Sequence, residues 1–250
     1  MFNVAFLTDV GLKREHNEDA ILVNKETATF IVADGMGGHE KGEVASKLLI
    51  ETFAAAHTQN LPANLGDDDD TIVPSLGIDD ELNHSVVLAT EKMIHYAEEK
   101  EIESTIGTTV VGLKYVTNIH AWALFHLGDS RAYQFSNNSI TQLTTDHSKY
   151  EAMKAKNMSQ EEIHKTGKNI ITKAVGNFKA FTLDIRYITA KVGDILLLCS
   201  DGVSDLCSND ELLLLVIQYK DNLDFLCTQV KNLVYTRGAK DNLSIIAIQI

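Results

Sequence analysis

The chain has 250 residues, 44% apolar and 23% charged, the balance of an ordinary soluble globular protein. Its 22 basic against 35 acidic side chains leave a net charge of −13, which argues against nucleic acid or an anionic membrane as partner. A phosphorylated substrate stays open, because bound divalent cations reverse the local sign. No apolar run reaches the ~18–20 residues of a membrane span, and the first residues, MFNVAFLTD, lack the basic region of a signal peptide. Cys199, Cys207 and Cys227 form no CxxC pair, which points to a reducing compartment and a cytoplasmic protein.

Short β-rich runs at 3–8, 20–24 and 28–33 predict three strands. Val44, Ala45, Leu48, Leu49, Phe53 and Ala56 then fall on one face of a helix over 41–58. Residues 60–78 hold both prolines and an acidic run and read as an exposed loop. Leu82, Val86, Ala89, Met93 and Ala97 give a second helix over about 79–100. Strands follow at 107–116, 119–127 and 131–135, with SNNS (136–139) as a hairpin turn. Residues 147–170 are polar and weakly helical, an excursion from the core. Strands at 181–188 and 194–199, helices at 209–219 and 222–236 and a strand at 243–250 complete the chain. Strands punctuated by pairs of helices, without strict βαβ alternation, predict a layered α+β domain with sheets inside and helices outside.

Six aspartates near strand ends sit in short Gly- or Ser-rich motifs: LTDVGLKREHNEDA (7–20), VADGMGGH (32–39), HLGDSRAY (126–133), CSDG (199–202) and KDNLS (240–244). Each taken alone reads as a plain turn. Together, carboxylates brought to one sheet edge cannot all stay ionised without cations between them. Asp34 ends an apolar strand, and the glycine that follows lets a main-chain oxygen approach a ligand. Asp201, Asp241 and Asp129 repeat that logic. Oxygen-only ligands without a Cys–His pairing favour Mg²⁺ or Mn²⁺ over Zn²⁺. Arg14 offers a bidentate phosphate donor, and Glu18 and Asp19 can hold water bound to a metal; a salt-bridged surface turn is the alternative for this segment.

The set RxxNED, DGMGGH, GTT (107–109), GDSRAY, LTTDHS (143–148), NIITKAVG (169–176), CSDG and DNLS resembles, in order and spacing, the metal-dependent Ser/Thr protein phosphatases of type 2C, the PPM family, most closely its compact bacterial branch. The resemblance runs from residue 8 to 250. It implies one domain over 1–250, a four-layer α-β-β-α sandwich of two central, mainly antiparallel sheets flanked by helices, and a flap-like excursion at about 149–170 that helps choose substrates. By matching motif, Asp34 would bridge two Mn²⁺ or Mg²⁺ ions, the Gly35 carbonyl would complete the first site, and Asp201 and Asp241 the second. Asp129 with Asp201 would hold a weaker third ion. Arg14 would clamp the substrate phosphate while Glu18 and Asp19 orient metal-bound water, and a hydroxide bridging the two ions would attack phosphorus directly.

The resemblance further implies phosphorylated proteins as substrates and a Ser/Thr protein kinase whose work is reversed. A monomer is the default for one compact domain. A catalytically weak, phosphoprotein-binding pseudophosphatase is the alternative, as is a hydrolase of small phosphorylated metabolites. Met36 stands where animal members carry a histidine assigned as general acid, which leaves His39 or water for that task. Lys173 and Val175 stand where the family pattern has arginine and leucine. DDDDT (67–71) matches the motif of aspartyl-nucleophile phosphatases, but no strand precedes it, and a solvated loop is the better reading. His16, His147 and His164 read as turn or surface residues, Cys199 as a packed strand residue and Trp122 as core.

Overall fold

A computed structural model describes residues 2–37, 40–58, 77–156, 158, 170–176 and 181–250. His39, His164, the DDDDT motif and most of the 60–78 loop and the 149–170 excursion lie outside the described residues.

One sheet holds five strands: β1 (Asn3–Asp9), β12 (Leu243–Gln249), β11 (Ile195–Cys199), β7 (Arg131–Ser136) and β8 (Ser139–Gln142), in that order. The other runs β10 (Asp184–Ile188), β6 (Ala121–Leu127), β5 (Val110–Val116), β3 (Thr29–Met36), β4 (Gly107–Thr108) and β9 (Val175–Gly176), with β2 (Asp19–Asn24) paired to β3. Every described strand pair is antiparallel.

Successive strand side chains point to opposite faces, and here both faces are covered. Phe30, Val32, Leu196, Leu198, Ile246 and Ile248 pack between the sheets. Their neighbours Ile31 and Ala33 face helices α1 (Glu40–Thr58) and α2 (Ile78–Glu99). Leu197, Ile245 and Ala247 face the opposite helical layer. That layer contains α4 (Asp201–Ser204), α5 (Asn209–Tyr219) and α6 (Leu223–Thr236). The result is the expected α-β-β-α sandwich. Continuous apolar runs such as ILLLC follow from burial on both faces. Ser208 and Glu211 form a capping box that starts α5, and the Asn222 side chain caps α6. A short helix, α3 (Lys149–Ala155), opens the excursion on a Ser148 cap.

The strand expected over 107–116 is broken at Thr109. Its N–H donates to the Asp34 carbonyl (2.8 Å) and its hydroxyl accepts from the Asp34 N–H (3.1 Å), so a side chain interrupts the ladder there while β3 pairs with both halves in one register. The strand expected from 119 begins at Ala121, after a 3-10 turn over Thr117–Ile119. The one expected from 181 begins at Asp184. In the SNNS turn Asn137 and Asn138 both adopt positive φ (51° and 58°), the geometry of a two-residue hairpin loop. β8, β9 and α4 are too short for periodicity to reveal.

The fully buried Trp122 and the parallel rings of Phe53 and Phe125 (centroids 5.7 Å apart) anchor the core. Gly112 lies under Phe125: a Cβ there would sit 2.2 Å from the ring. Gly112→Ala is therefore expected to destabilise the protein by about 1–3 kcal/mol, read as a lower urea midpoint at unchanged slope. An unchanged midpoint would mean that the Phe125 ring gives way without cost.

Candidate metal and phosphate site

The ends of strands from both sheets meet at one edge of the sandwich. Asp19 opens β2 directly opposite Asp34 in β3. Asp201 follows β11 as the first residue of α4, Asp241 precedes β12, and Asp129 lies in the β6–β7 turn. The motif polar groups lock these segments together. The Asn242 side chain accepts from the Glu18 N–H (2.8 Å) and donates to the carbonyls of Val10 and His16 (both 2.9 Å). The Ser200 hydroxyl donates to Asp19 Oδ2 (2.8 Å) and accepts from the Ser244 N–H (2.9 Å). Thr108 Oγ1 donates to the Asp34 carbonyl (2.9 Å), and the Thr109 and Ser130 hydroxyls lie 2.8 Å apart.

Burial and the charges around them push the carboxyls of Asp34, Asp201, Asp129 and Asp19 up together. Asp34 is driven well above its usual range by burial, then by the charges of Asp19, Asp201, Asp129 and Asp241. Asp201 rises to about 7, from burial and the charges of Asp129, Asp241, Asp205 and Asp19. Burial takes Asp129 to about 6, with Asp146 and Asp205 adding to it. Burial also takes Asp19 to about 6 against the hydrogen bonds of Ser244 and Ser200. Asp19 Oδ1 and Asp129 Oδ1 are buried without a hydrogen-bond partner. Orphaned oxygens in a repelling, all-oxygen cluster fit hard divalent cations.

Arg14 lies at the mouth. Its Nη2 donates to Asp241 Oδ2 (2.9 Å) and its Nη1 is 3.9 Å from Glu18 Oε2. Burial opposes its charge, but Asp241, Glu18 and Asp34 outweigh that and favour the guanidinium. Glu18 is buried beside it, and its carbonyl accepts the Gly35 N–H (3.1 Å).

Five of the six strand-end aspartates converge; Asp9 does not. Lys231 Nζ (2.5 Å) and Tyr235 Oη (2.6 Å) take its two oxygens, and these bonds with the Gly11 N–H hold its carboxyl low against burial. Sequence reasoning missed Asp205, whose charge acts on both Asp129 and Asp201 from one helical turn beyond Asp201. It also missed Asp146, which takes Arg131 bidentately (Nε–Oδ1 2.9 Å, Nη2–Oδ2 2.7 Å). His147 is a correction: expected at a turn or the surface, it is only 9% exposed and hydrogen-bonded on both ring nitrogens. His16 is exposed. Cys199 is fully buried with its thiol driven up by burial, and no described helix is long and apolar enough to cross a membrane.

The family model described as protein phosphatase 2C matches residues 13–244. Protein phosphatase PhpP of Streptococcus pneumoniae is 33% identical over 215 residues, covering 84% of this chain and 82% of the relative. The S. agalactiae serine/threonine phosphatase structure superposes with a TM-score of 0.84 at 26% identity, covering 100% of both chains. The catalytic domain of the serine/threonine phosphatase PstP, solved in complex with two manganese ions, gives 0.81 at 26% identity, covering 99% of this chain and 97% of that one.

A carboxyl whose folded value lies above its unfolded one stabilises the fold only while protonated, so its contribution is lost as pH rises. For Asp201 that window runs from 3.8 to about 7. In chelator at pH 8, Asp201→Asn should therefore raise the melting temperature of the protein and flatten its decline with pH. Mn²⁺ should raise the melting temperature of the unsubstituted protein more than that of the variant. A lower melting temperature for the metal-free variant at pH 8 would contradict the repulsive cluster.

Proposed function

The chain belongs to the protein phosphatase 2C family and is by class a protein phosphatase, and on that footing we propose that it hydrolyses phosphoserine and phosphothreonine esters on proteins with two Mn²⁺ or Mg²⁺ ions. The observation that carries this reading is the cluster of five converging carboxylates, four of them raised by burial, with two orphaned oxygens beside a guanidinium. Two of the named relatives are serine/threonine phosphatases, and one of these was solved with two manganese ions.

Asp34 would be shared by the two ions, with the Gly35 carbonyl on the first and Asp201 and Asp241 on the second. Asp129 and Asp201 would hold a weaker third. When bound, the ions supply an acidified water as nucleophile and neutralise phosphate charge. The chain's own groups do the rest. Arg14 donates to phosphate oxygens, exchanging its contacts with Asp241 and Glu18 for those with substrate. Glu18 and Asp19 accept hydrogen bonds from water and so orient it towards phosphorus in line with the leaving oxygen. His39 or water protonates that oxygen.

The excursion at 149–170 helps select the phosphoprotein, and a Ser/Thr kinase is the enzyme reversed. The protein acts as a monomer in the cytoplasm, where its three buried free thiols stay reduced. A pseudophosphatase would have lost a cluster carboxylate or Arg14, and all are present.

A phosphothreonine peptide should be hydrolysed with Mn²⁺ and not with chelator, and not by Asp201→Asn. Arg14→Ala should lower kcat/KM roughly 10–100-fold, the loss of charge-assisted hydrogen bonds of about 1.5–3 kcal/mol. Turnover persisting in chelator, or none from folded, Mn²⁺-loaded protein, would contradict the reading.

A further inference from the structure

His147 stands between the carboxylate cluster and the excursion. Its Nδ1 accepts the Gly128 N–H (3.1 Å), and its own N–H donates to the Gly128 carbonyl (2.8 Å). Gly128 adopts a φ of +115° and immediately precedes Asp129. Because Nδ1 accepts, the ring proton lies on Nε2, which donates to Asp184 Oδ2 (2.9 Å). Lys173 Nζ lies 3.3 Å from the other Asp184 oxygen, so lysine keeps an ion pair at the position where the family pattern has arginine. The main chain continues the link: the His147 carbonyl accepts the Thr172 N–H (2.7 Å), Ser148 bridges Ile171, and Lys149 N–H donates to the Ile170 carbonyl (2.8 Å). Both described ends of the excursion are thus laced to the peptide that carries Asp129.

Ligand atoms of His126, His147 and Asp184 also come within 4.8 Å of one another. They do not make a metal site. The two rings stack with centroids 4.6 Å apart and planes 5° from parallel, so no ion lies in both ring planes, where the lone pairs point. The Lys173 ammonium already faces Asp184, and His126 Nε2 is engaged by the Thr145 carbonyl (3.0 Å).

We propose that His147 is a positioning residue: its neutral imidazole holds the Gly128 peptide and thereby aims the Asp129 carboxylate at its cation, while its carbonyl, bound by the Thr172 N–H, joins that peptide to the segment that closes the excursion. Burial, with Lys173 adding to it, lowers the His147 pKa against the pull of Asp184 and keeps the ring neutral. The proposal rests on the phosphatase reading, in which Asp129 holds the weaker cation. Groups that orient metal ligands in this way typically tune affinity 10–100-fold.

Two substitutions separate the contacts. His147→Asn keeps an acceptor at the level of Nδ1 and gives up Asp184. His147→Gln reaches Asp184 and leaves the Gly128 N–H unpaired. Mn²⁺ binding is followed by calorimetry, alongside melting temperature and the Mn²⁺ requirement for hydrolysis of a phosphothreonine peptide. The weakest Mn²⁺ step is expected to loosen by roughly 10-fold in the glutamine variant and to stay near the unsubstituted value in the asparagine variant. Equal Mn²⁺ binding by the glutamine variant and the unsubstituted protein, or equal loss in both variants, overturns the proposal. Should either histidine variant fail to fold, Asp184→Ala at its exposed position, which gives up the same contact as the asparagine variant, decides: an Mn²⁺ step near the unsubstituted value supports the assignment to the Gly128 contact, and a loosened one overturns it. Absence of Mn²⁺ binding and turnover in the unsubstituted protein would instead sink the phosphatase reading itself.

Discussion

The mutual repulsion of Asp19, Asp34, Asp129, Asp201 and Asp241 is the constraint on which the rest of this structure depends. Burial in a low dielectric multiplies like-charge repulsion, and here it drives Asp34 well above the carboxylate range and Asp201 to about 7. A fold that brings these groups together without a counter-charge gives up stability at neutral pH. Protonation relieves the conflict at low pH, and divalent cations held by the cluster would remove it at neutral pH.

The same constraint explains why the surrounding polar groups are so fully committed. Asn242 spends its side-chain amide on three backbone groups around residues 10–18, and Ser200 links Asp19 to Ser244. Thr109 clasps both polar groups of the Asp34 backbone, the carbonyl with its N–H and the N–H with its hydroxyl. These bonds fix the main chain at each strand end, so the carboxylates cannot turn away from one another. Asp9, held by Lys231 and Tyr235, accepts the Gly11 N–H where the loop bearing Arg14 begins.

Much of this was legible because burial on both faces writes strands as unbroken apolar runs, and an aspartate after such a run must lie at a sheet end. ILLLC before Asp201 carries that signal, FIVA before Asp34 carries it in a strand that runs on to Met36 rather than ending at the aspartate, and the helices of the outer layers keep their 3.6-residue spacing. Asp9 follows the same local pattern and still lies outside the cluster, because Lys231 and Tyr235 capture it from 222 and 226 residues away. No local pattern encodes such a pairing. Asp205 was hidden because DGVS reads as a turn, whereas it forms a helical turn that carries Asp205 beside Asp201. His147 was hidden because TTDHS is polar throughout, and its burial comes from the stacked His126 and from the Gly128 peptide.

The most direct test of the account is to locate Mn²⁺ by anomalous diffraction in crystals grown or soaked with the ion. The account predicts two peaks about 3.5–4 Å apart on either side of Asp34, within ligand distance of Asp201 and Asp241. Peaks confined to other surfaces, or to the His126–His147–Asp184 group, with the five carboxylates left bare, would contradict it.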